Sequence, residues 1–198
     1  EYPAKNIEKI LKTYLGDLKL SQVLKPCLIT SYEIFQRKTV FFNKTDTIKH
    51  KELKNFKLCD IARATSAAPT YFQPAEIKPE FGEPYYMIDG GMFANNPAMC
   101  AYSEANTSNF GEYFERNDKP NYPSTKEMII VSIGTGSHGE PYKYSKAKKW
   151  GVIGWLQPLI NILMSGNSET MHYELSQLFN THKSPNGGRY FRLEPTVG

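Results

Sequence analysis

Tyr85-Tyr86-Met87-Ile88-Asp89-Gly90-Gly91-Met92-Phe93-Ala94-Asn95-Asn96-Pro97 passes from strand to turn to helix start within one short stretch. Tyr85 to Ile88 is an apolar run of the length a buried strand needs. Asp89-Gly90-Gly91 stands at its carboxyl end, where glycines let backbone approach closely and free N–H groups. Asn95-Asn96-Pro97 then starts a helix, with asparagine as the cap and proline at the first helical position, where its missing N–H costs nothing. The helix that follows, Ala98 to Ala105, is expected to be well buried.

Toward the N-terminus, Leu58, Ile61, Ala62, Thr65 and Ala68 fall on one helical face, and Pro69 is expected to end that helix by forbidding the next backbone hydrogen bond. A polar, lysine-rich connection precedes it. Before that, Cys27 to Tyr32 reads as a buried strand and Thr39 to Phe42 as its neighbour across a turn. Ile7, Ile10, Leu11, Tyr14 and Leu15 recur at helical spacing, with Gly16 as the stop. Toward the C-terminus, Met128 to Ile133 is apolar enough for a parallel, interior strand leaving through Gly134-Thr135-Gly136. Trp150 to Met164 and Glu169 to Phe179 are predicted helices, broken near Ser165-Gly166-Asn167, and Tyr190 to Leu193 a final strand. Strands alternating with helices give an α/β sheet covered on both faces, and such sheets place their chemistry at the carboxyl ends of strands.

The 198 residues, 40% hydrophobic and 22% charged, suffice for one globular domain or most of one. The net charge of +4 is mild and comes without an Arg-rich face, so no nucleic-acid partner is indicated. Cys27, Cys59 and Cys100 are widely spaced, with no CxxC pair and no histidine at ligand distance in sequence, which points away from disulfides and zinc and toward a reducing compartment. His50, His138, His172 and His182 are dispersed and expected at the surface. The first residues lack an initiator Met and a signal core, as in a trimmed or cut chain. The longest apolar stretch, Val152 to Met164, is too short to span a bilayer, so a soluble or peripheral protein is expected.

A carboxylate in a glycine turn at a strand end can orient or deprotonate a nucleophile, provided a serine, threonine or cysteine is delivered from another loop. The same Asp-Gly pair also caps ordinary tight turns, and on the dipeptide both readings stand. The wider context adds Asp60-Ile61-Ala62-Arg63-Ala64-Thr65-Ser66-Ala67-Ala68-Pro69-Thr70-Tyr71-Phe72 before Ile88-Asp89-Gly90-Gly91, and Ser132-Ile133-Gly134-Thr135-Gly136 after it. In order and spacing these segments resemble the patatin-like phospholipase family. The opening stretch through Phe42, and Trp155-Leu156-Gln157-Pro158-Leu159 through Leu178-Phe179, are similar to plant and bacterial patatins, so the resemblance covers nearly the whole chain.

The resemblance implies an α/β fold with a three-layer patatin-like sheet covered by helices, of which residues 1–198 are the C-terminal portion of a single catalytic domain. It implies ester hydrolysis of glycerolipids or phospholipids, of phospholipase A or lysophospholipase type, by a Ser–Asp dyad without histidine, cofactor or metal. Asp89 is the matching aspartate. Gly90 and Gly91 let its carboxylate approach, Asn95 and Asn96 hold the turn and helix start, and Pro69 shapes the site wall. The family's serine lies in a G-x-S-x-G elbow after a glycine-rich oxyanion loop. Neither is present here, so the N-terminal part of the domain is an expected partner and this chain alone is expected to be inactive. A reading from another class is a non-catalytic lipid- or protein-binding module that keeps the scaffold.

Two further motifs invite misreading. Gly134-Thr135-Gly136-Ser137-His138-Gly139 spells G-x-G-x-x-G after a strand, but no helix opens behind it and no acidic residue stands some twenty positions on, so a strand-exit loop is preferred to a nucleotide site. Ser137 has threonine where the first glycine of an elbow belongs, and it follows the Asp-Gly-Gly motif instead of preceding it. Lys143 to Met164 joins a basic stretch to an apolar one holding Trp150 and Trp155, as a peripheral membrane contact does. Gly154 and Pro158 instead favour a solvated lysine loop followed by a core helix.

Overall fold

In the computed structural model of the chain, which describes residues 2–50, 54–112, 121–136, 141–180 and 188–195, Leu28–Glu33 forms strand β1 and Lys38–Asn43 forms β2. They pair antiparallel from Leu28 opposite Asn43 to Glu33 opposite Lys38. The hairpin turn is built on a buried carboxylate. Glu33 accepts the N–H groups of Phe35 (3.2 Å) and Gln36 across the turn, and that of Tyr86 (3.1 Å) from the neighbouring segment. Three donors on one carboxylate are what make its burial tolerable.

The chain divides into two compact units, residues 1–94 with 107–122 and residues 95–106 with 123–198. In the first, helix α1 (Ala4–Leu15) stops at Gly16, whose φ of 57° is left-handed and whose N–H closes on the Lys12 carbonyl at 2.9 Å. The lysine-rich stretch after β2, expected as a connection, opens instead with helix α2 (Lys44–His50). Asn43 Oδ1 accepts the Asp46 N–H at 2.7 Å, a cap that the Asn-x-x-Asp spelling carries in plain view.

Helix α3 (Leu58–Thr65) is shorter than expected, and Pro69 does not end it. It closes four residues earlier because Ser66 leaves helical geometry and its hydroxyl folds back onto the Ala62 carbonyl at 2.8 Å. Its buried residues are Cys59, Ile61, Arg63 and Ala64, so the covered face is turned from the one predicted, with Ile61 common to both.

Strand β3 (Ala75–Ile77), three residues long, is too short to register as an apolar run. Strand β4 (Tyr85–Asp89) runs between β3 and β1, giving an antiparallel sheet in the order β2-β1-β4-β3. Ile61, Ala64, Ala67, Ile77 and Met87 pack with Leu20, Phe42 and Phe56 into its core. Each such large aliphatic side chain contributes about 1.5–3 kcal/mol on burial. Helix α4 (Gly91–Ala94) follows directly on β4, and its Phe93 packs edge-on to Phe41 of β2 at 5.7 Å.

In the second unit, helix α5 (Ala98–Thr107) buries only Ala98 among its residues, against the well-buried helix expected. Strands β5 (Ile130–Ile133) and β6 (Tyr190–Leu193) pair in parallel, Ile130 opposite Tyr190. After the short helix α6 (Tyr144–Ala147) comes α7 (Val152–Phe179), one unbroken 28-residue helix where two were expected. Pro158 lies within it, and the residue four before, whose carbonyl a proline ring crowds, is Gly154. The Ser165-Gly166-Asn167 stretch keeps helical geometry because partners in the same unit hold it. Asn167 Oδ1 accepts the Asn95 N–H at 3.1 Å, and the Met164 carbonyl accepts Asn95 Nδ2 at 3.2 Å.

Met128, Leu175, Phe179 and Tyr190 form this unit's core with Ala98. One face of the β5–β6 pair, Ser132 and Tyr190 among it, is covered. The other face is not: Val131, Ile133, Phe191 and Leu193 are each more than half exposed, so β5 is parallel as expected but covered on one side only. Mixed strands and helices in both units place the chain in the α/β class that its sequence indicates.

Candidate functional site

Asp89 is the last residue of β4 and lies opposite Ser31 of β1. Its backbone N–H donates to the Ala67 carbonyl at 3.1 Å, tying the strand end to the segment that follows α3. Its side chain folds forward, Oδ1 accepting the Gly91 N–H at 2.7 Å. The glycine turn therefore spends this N–H on Asp89 itself instead of leaving it free. Among the described residues no other donor is within hydrogen-bond distance of the carboxylate. Burial pushes the Asp89 carboxyl up from the ordinary 3.8, opposed by the weaker downward pull of the Gly91 N–H. The result is a half-buried acid with one oxygen anchored by the Gly91 N–H and no partner on the other among the described residues.

Gly90 makes this turn possible by close approach. A side-chain carbon added to it would overlap the Thr30 carbonyl oxygen and the Thr30 hydroxyl. That carbonyl is also held by the Thr65 hydroxyl at 2.7 Å, so β1 cannot easily retreat. Ser31 is the hydroxyl nearest in register, yet it is fully buried and donates to the Ile88 carbonyl at 2.6 Å. It is a sheet strut, with no path to an ester.

Pro69 occupies the second position of a turn closed by the Tyr71 N–H on the Ala68 carbonyl at 3.1 Å. The third position is Thr70, at φ 75°, a left-handed conformation that type II turns reserve for glycine and that a β-branched residue adopts only under strain. Through Ala67, this strained turn is continuous with the segment holding the Asp89 N–H. Arg63, 6% exposed, donates to the Gln73 carbonyl at 2.8 Å and to Glu8 at 3.3 Å, and lies over the Phe72 ring at 5.7 Å, which fixes the turn's far end. Nothing in the sequence marks Thr70 as strained, since Pro-Thr is an ordinary pair.

Asp89, Gly90, Gly91 and Pro69 are thus brought together in the first unit, whereas Asn95 and Asn96 belong to the second. Asn96, 3% exposed, caps α5 by accepting the Ala98 N–H at 3.2 Å, as its position predicts, and its Oδ1 also accepts the Ser132 hydroxyl at 3.1 Å. Asn95 takes no part in that cap and reaches α7 instead. Ser132 and Ser168 both receive Arg192 of β6, at 2.7 and 3.0 Å, and Arg192 pairs with Glu194. Strand alternation carried that signal, because Tyr190 and Arg192 share a parity and Tyr190 faces the core.

Glu194 also decides the glycine loop. Its Oε1 accepts the Gly136 N–H at 3.1 Å, and its carboxylate lies where a side chain on Gly134 would be. The group a phosphate would take is occupied by the chain's own anion, which favours a strand-exit loop over a nucleotide site. Ser137, His138 and His182 lie outside the described residues. His172 is at the surface, as expected, with Nδ1 3.1 Å from the Tyr190 hydroxyl. Cys27, Cys59 and Cys100 are free, and burial pushes each thiol up, away from nucleophilic thiolate. Among the described residues, no three His, Cys, Asp or Glu cluster closely enough to hold a metal ion, and no helix is long and apolar enough to cross a membrane.

An acid at a strand end with a glycine turn wedged against the next strand is the arrangement that the family resemblance leads one to look for. The model of the patatin-like phospholipase family matches residues 2–102, about half of the chain and all of the Asp89 turn. The chain belongs to that family. It is 34% identical to Patatin-like protein 2 of Oryza sativa subsp. indica, over 90% of this chain and 47% of that protein. It is 31% identical to Patatin-like protein 2 of Arabidopsis thaliana, over 98% of this chain and 49% of the relative. It is 31% identical to Probable inactive patatin-3-Kuras 1 of Solanum tuberosum, over 98% and 52%. The chain spans about half the length of these curated relatives.

Two expectations follow. Gly90→Ala forces the turn away from Thr30 and costs about 1–3 kcal/mol, as overpacking does, read as a lower urea midpoint at unchanged slope. An unchanged midpoint would show that the turn has room. Asp89→Asn keeps the bond to Gly91 and removes a charge whose burial is unfavourable. A raised acid pKa means that the folded chain binds more protons than the unfolded one between 3.8 and the raised value. The native aspartate thus costs stability above that window and regains it as pH falls through. The variant should melt no lower than the parent at pH 7, with its advantage gone below about pH 3.8. A clear loss at pH 7 would contradict this.

Proposed function

We propose that this chain contributes the proton-accepting half of a lipid acyl hydrolase, with Asp89 as the base for a serine that lies outside residues 1–198. The observation carrying this reading is the Asp89 carboxylate at the end of β4, half-buried, its acid raised by burial, anchored on one oxygen by Gly91 and without a partner on the other among the described residues. Family membership supports ester hydrolysis of glycerolipids or phospholipids as the chemistry. The serine O–H adds to the ester carbonyl and its proton passes to Asp89. Collapse of the tetrahedral intermediate forms an acyl-serine and expels the lipid alcohol, which takes that proton. Water activated by Asp89 then releases the fatty acid and restores the serine. Burial brings the acid's pKa nearer to neutrality, which improves a carboxylate as a base. Gly90, Gly91 and the Pro69 turn hold it, while Asn95 and Asn96 brace the second unit.

The bare face of β5 and β6 supports the same reading. Parallel sheets are covered on both sides, yet Val131, Ile133, Phe191 and Leu193 are exposed together, and the relatives are about twice as long as the chain. The remainder of the family's catalytic domain is the proposed cover for that face and the proposed source of the serine. A second reading, a binding module that keeps the scaffold without catalysis, is favoured by one relative whose name calls it probably inactive.

The two readings separate on one variant. In the chain joined to the segment that completes the domain, Asp89→Asn should lower kcat/KM for a short-chain ester by about 10²–10⁴-fold while leaving the protein folded. The parent's kcat/KM should fall as pH drops through the raised carboxyl value, which lies above 3.8. Equal activity of parent and variant would remove Asp89 from the chemistry.

A further inference from the structure

The first half of α7 is not the core helix that its sequence suggests. Val152, Leu156, Leu159 and Leu163, spaced four, three and four residues apart, form one stripe and are 87%, 58%, 48% and 58% exposed. The stripe runs about 16 Å along the helix. It is preceded by Lys143, Lys146, Lys148 and Lys149, all exposed, and none is in an ion pair among the described residues. Between residues 141 and 168 the sequence holds no acidic residue at all. Trp150 and Trp155 sit at the junction of the basic and apolar parts, their rings edge-to-face at 5.0 Å, with Tyr142 against Trp150 at 5.5 Å.

A basic cluster, an aromatic junction and an exposed aliphatic stripe, in that order, are the three components of an interfacial membrane contact. We propose that residues 143–163 dock this protein on an anionic lipid surface, with the lysines at the headgroups, the tryptophans at their level and the Val152–Leu163 stripe in the upper acyl region. Charge decides the occupant. A protein partner would need an apolar groove and an acidic rim both matched in shape to this segment, whereas an anionic bilayer supplies an apolar interior beneath a negative surface without any such match. The inference builds on the lipid-hydrolase reading for why a lipid surface is nearby, but its test involves no hydrolysis.

Trp150 and Trp155 are the chain's two tryptophans, so intrinsic fluorescence reports on this patch alone. Vesicles of phosphatidylcholine with phosphatidylserine should shift the emission to the blue, and brominated acyl chains should quench it. Pure phosphatidylcholine should do neither at the same lipid concentration. Lys146→Gln/Lys148→Gln/Lys149→Gln should weaken binding on the order of 100-fold, since each lysine near such a surface is worth about fivefold. Leu156→Asp should abolish quenching. Both variants change exposed side chains, so their circular dichroism should match that of the parent. Asp89→Asn should bind vesicles like the parent, which separates this proposal from the catalytic one. No shift with anionic vesicles, an equal shift with neutral ones, or full binding by the lysine variant would overturn it. So would tryptophan emission that is already blue and insensitive to vesicles once the completing segment is joined to the chain.

Discussion

The contact between Gly90 and Thr30 is the constraint on which the Asp89 site depends. With no side chain, Gly90 lets the backbone turn against the β1 carbonyl that Thr65 already holds from α3. The turn brings the Gly91 N–H back to the Asp89 carboxylate, and the Asp89 N–H is at the same time fixed on Ala67. Strand, helix and turn thus converge on one residue from three directions, leaving little freedom in where its open oxygen points. Preorganisation of this kind suits the base role proposed for Asp89, because a base that must first be positioned spends part of its catalytic advantage on ordering.

The elements legible in the sequence were those whose signal is local. Apolar runs gave β1, β2, β4, β5 and β6 to within a residue or two, and the caps at Gly16 and Asn96 fell where residue chemistry put them. The misreadings have one cause in common, which is that tertiary partners override local propensity. Gly166 and its polar neighbours look like a helix break until Asn95 and Arg192 are seen to hold that stretch from outside. Pro69 looks like a helix stop, but a serine hydroxyl acts first and the proline serves the strained turn at Thr70. The tilt of α3 and the exposure of α7 depend on which surfaces meet, and no periodicity encodes that.

The candidate site was legible at Asp89, Gly90 and Gly91, because an acid in a glycine turn at a strand end is a local pattern. It was less legible at Asn95 and Asn96, a few residues on in sequence but built into the second unit by contacts more than thirty residues away. Asn96 is a buried junction between a helix cap and the Ser132–Arg192 network, so its value is architectural. The glycine loop after β5 shows the reverse case. A motif that nominally spells a phosphate site binds the chain's own Glu194, and only the geometry reveals it.

The central claim is that Asp89 serves a serine beyond residues 1–198, and covalent labelling tests it most directly. A fluorophosphonate, which phosphonylates activated serines, should leave this chain unmodified by itself. On the chain joined to the completing segment it should modify one serine outside residues 1–198, and Asp89→Asn should slow that modification sharply. A labelled residue within this chain, or labelling that is indifferent to Asp89, would contradict the account.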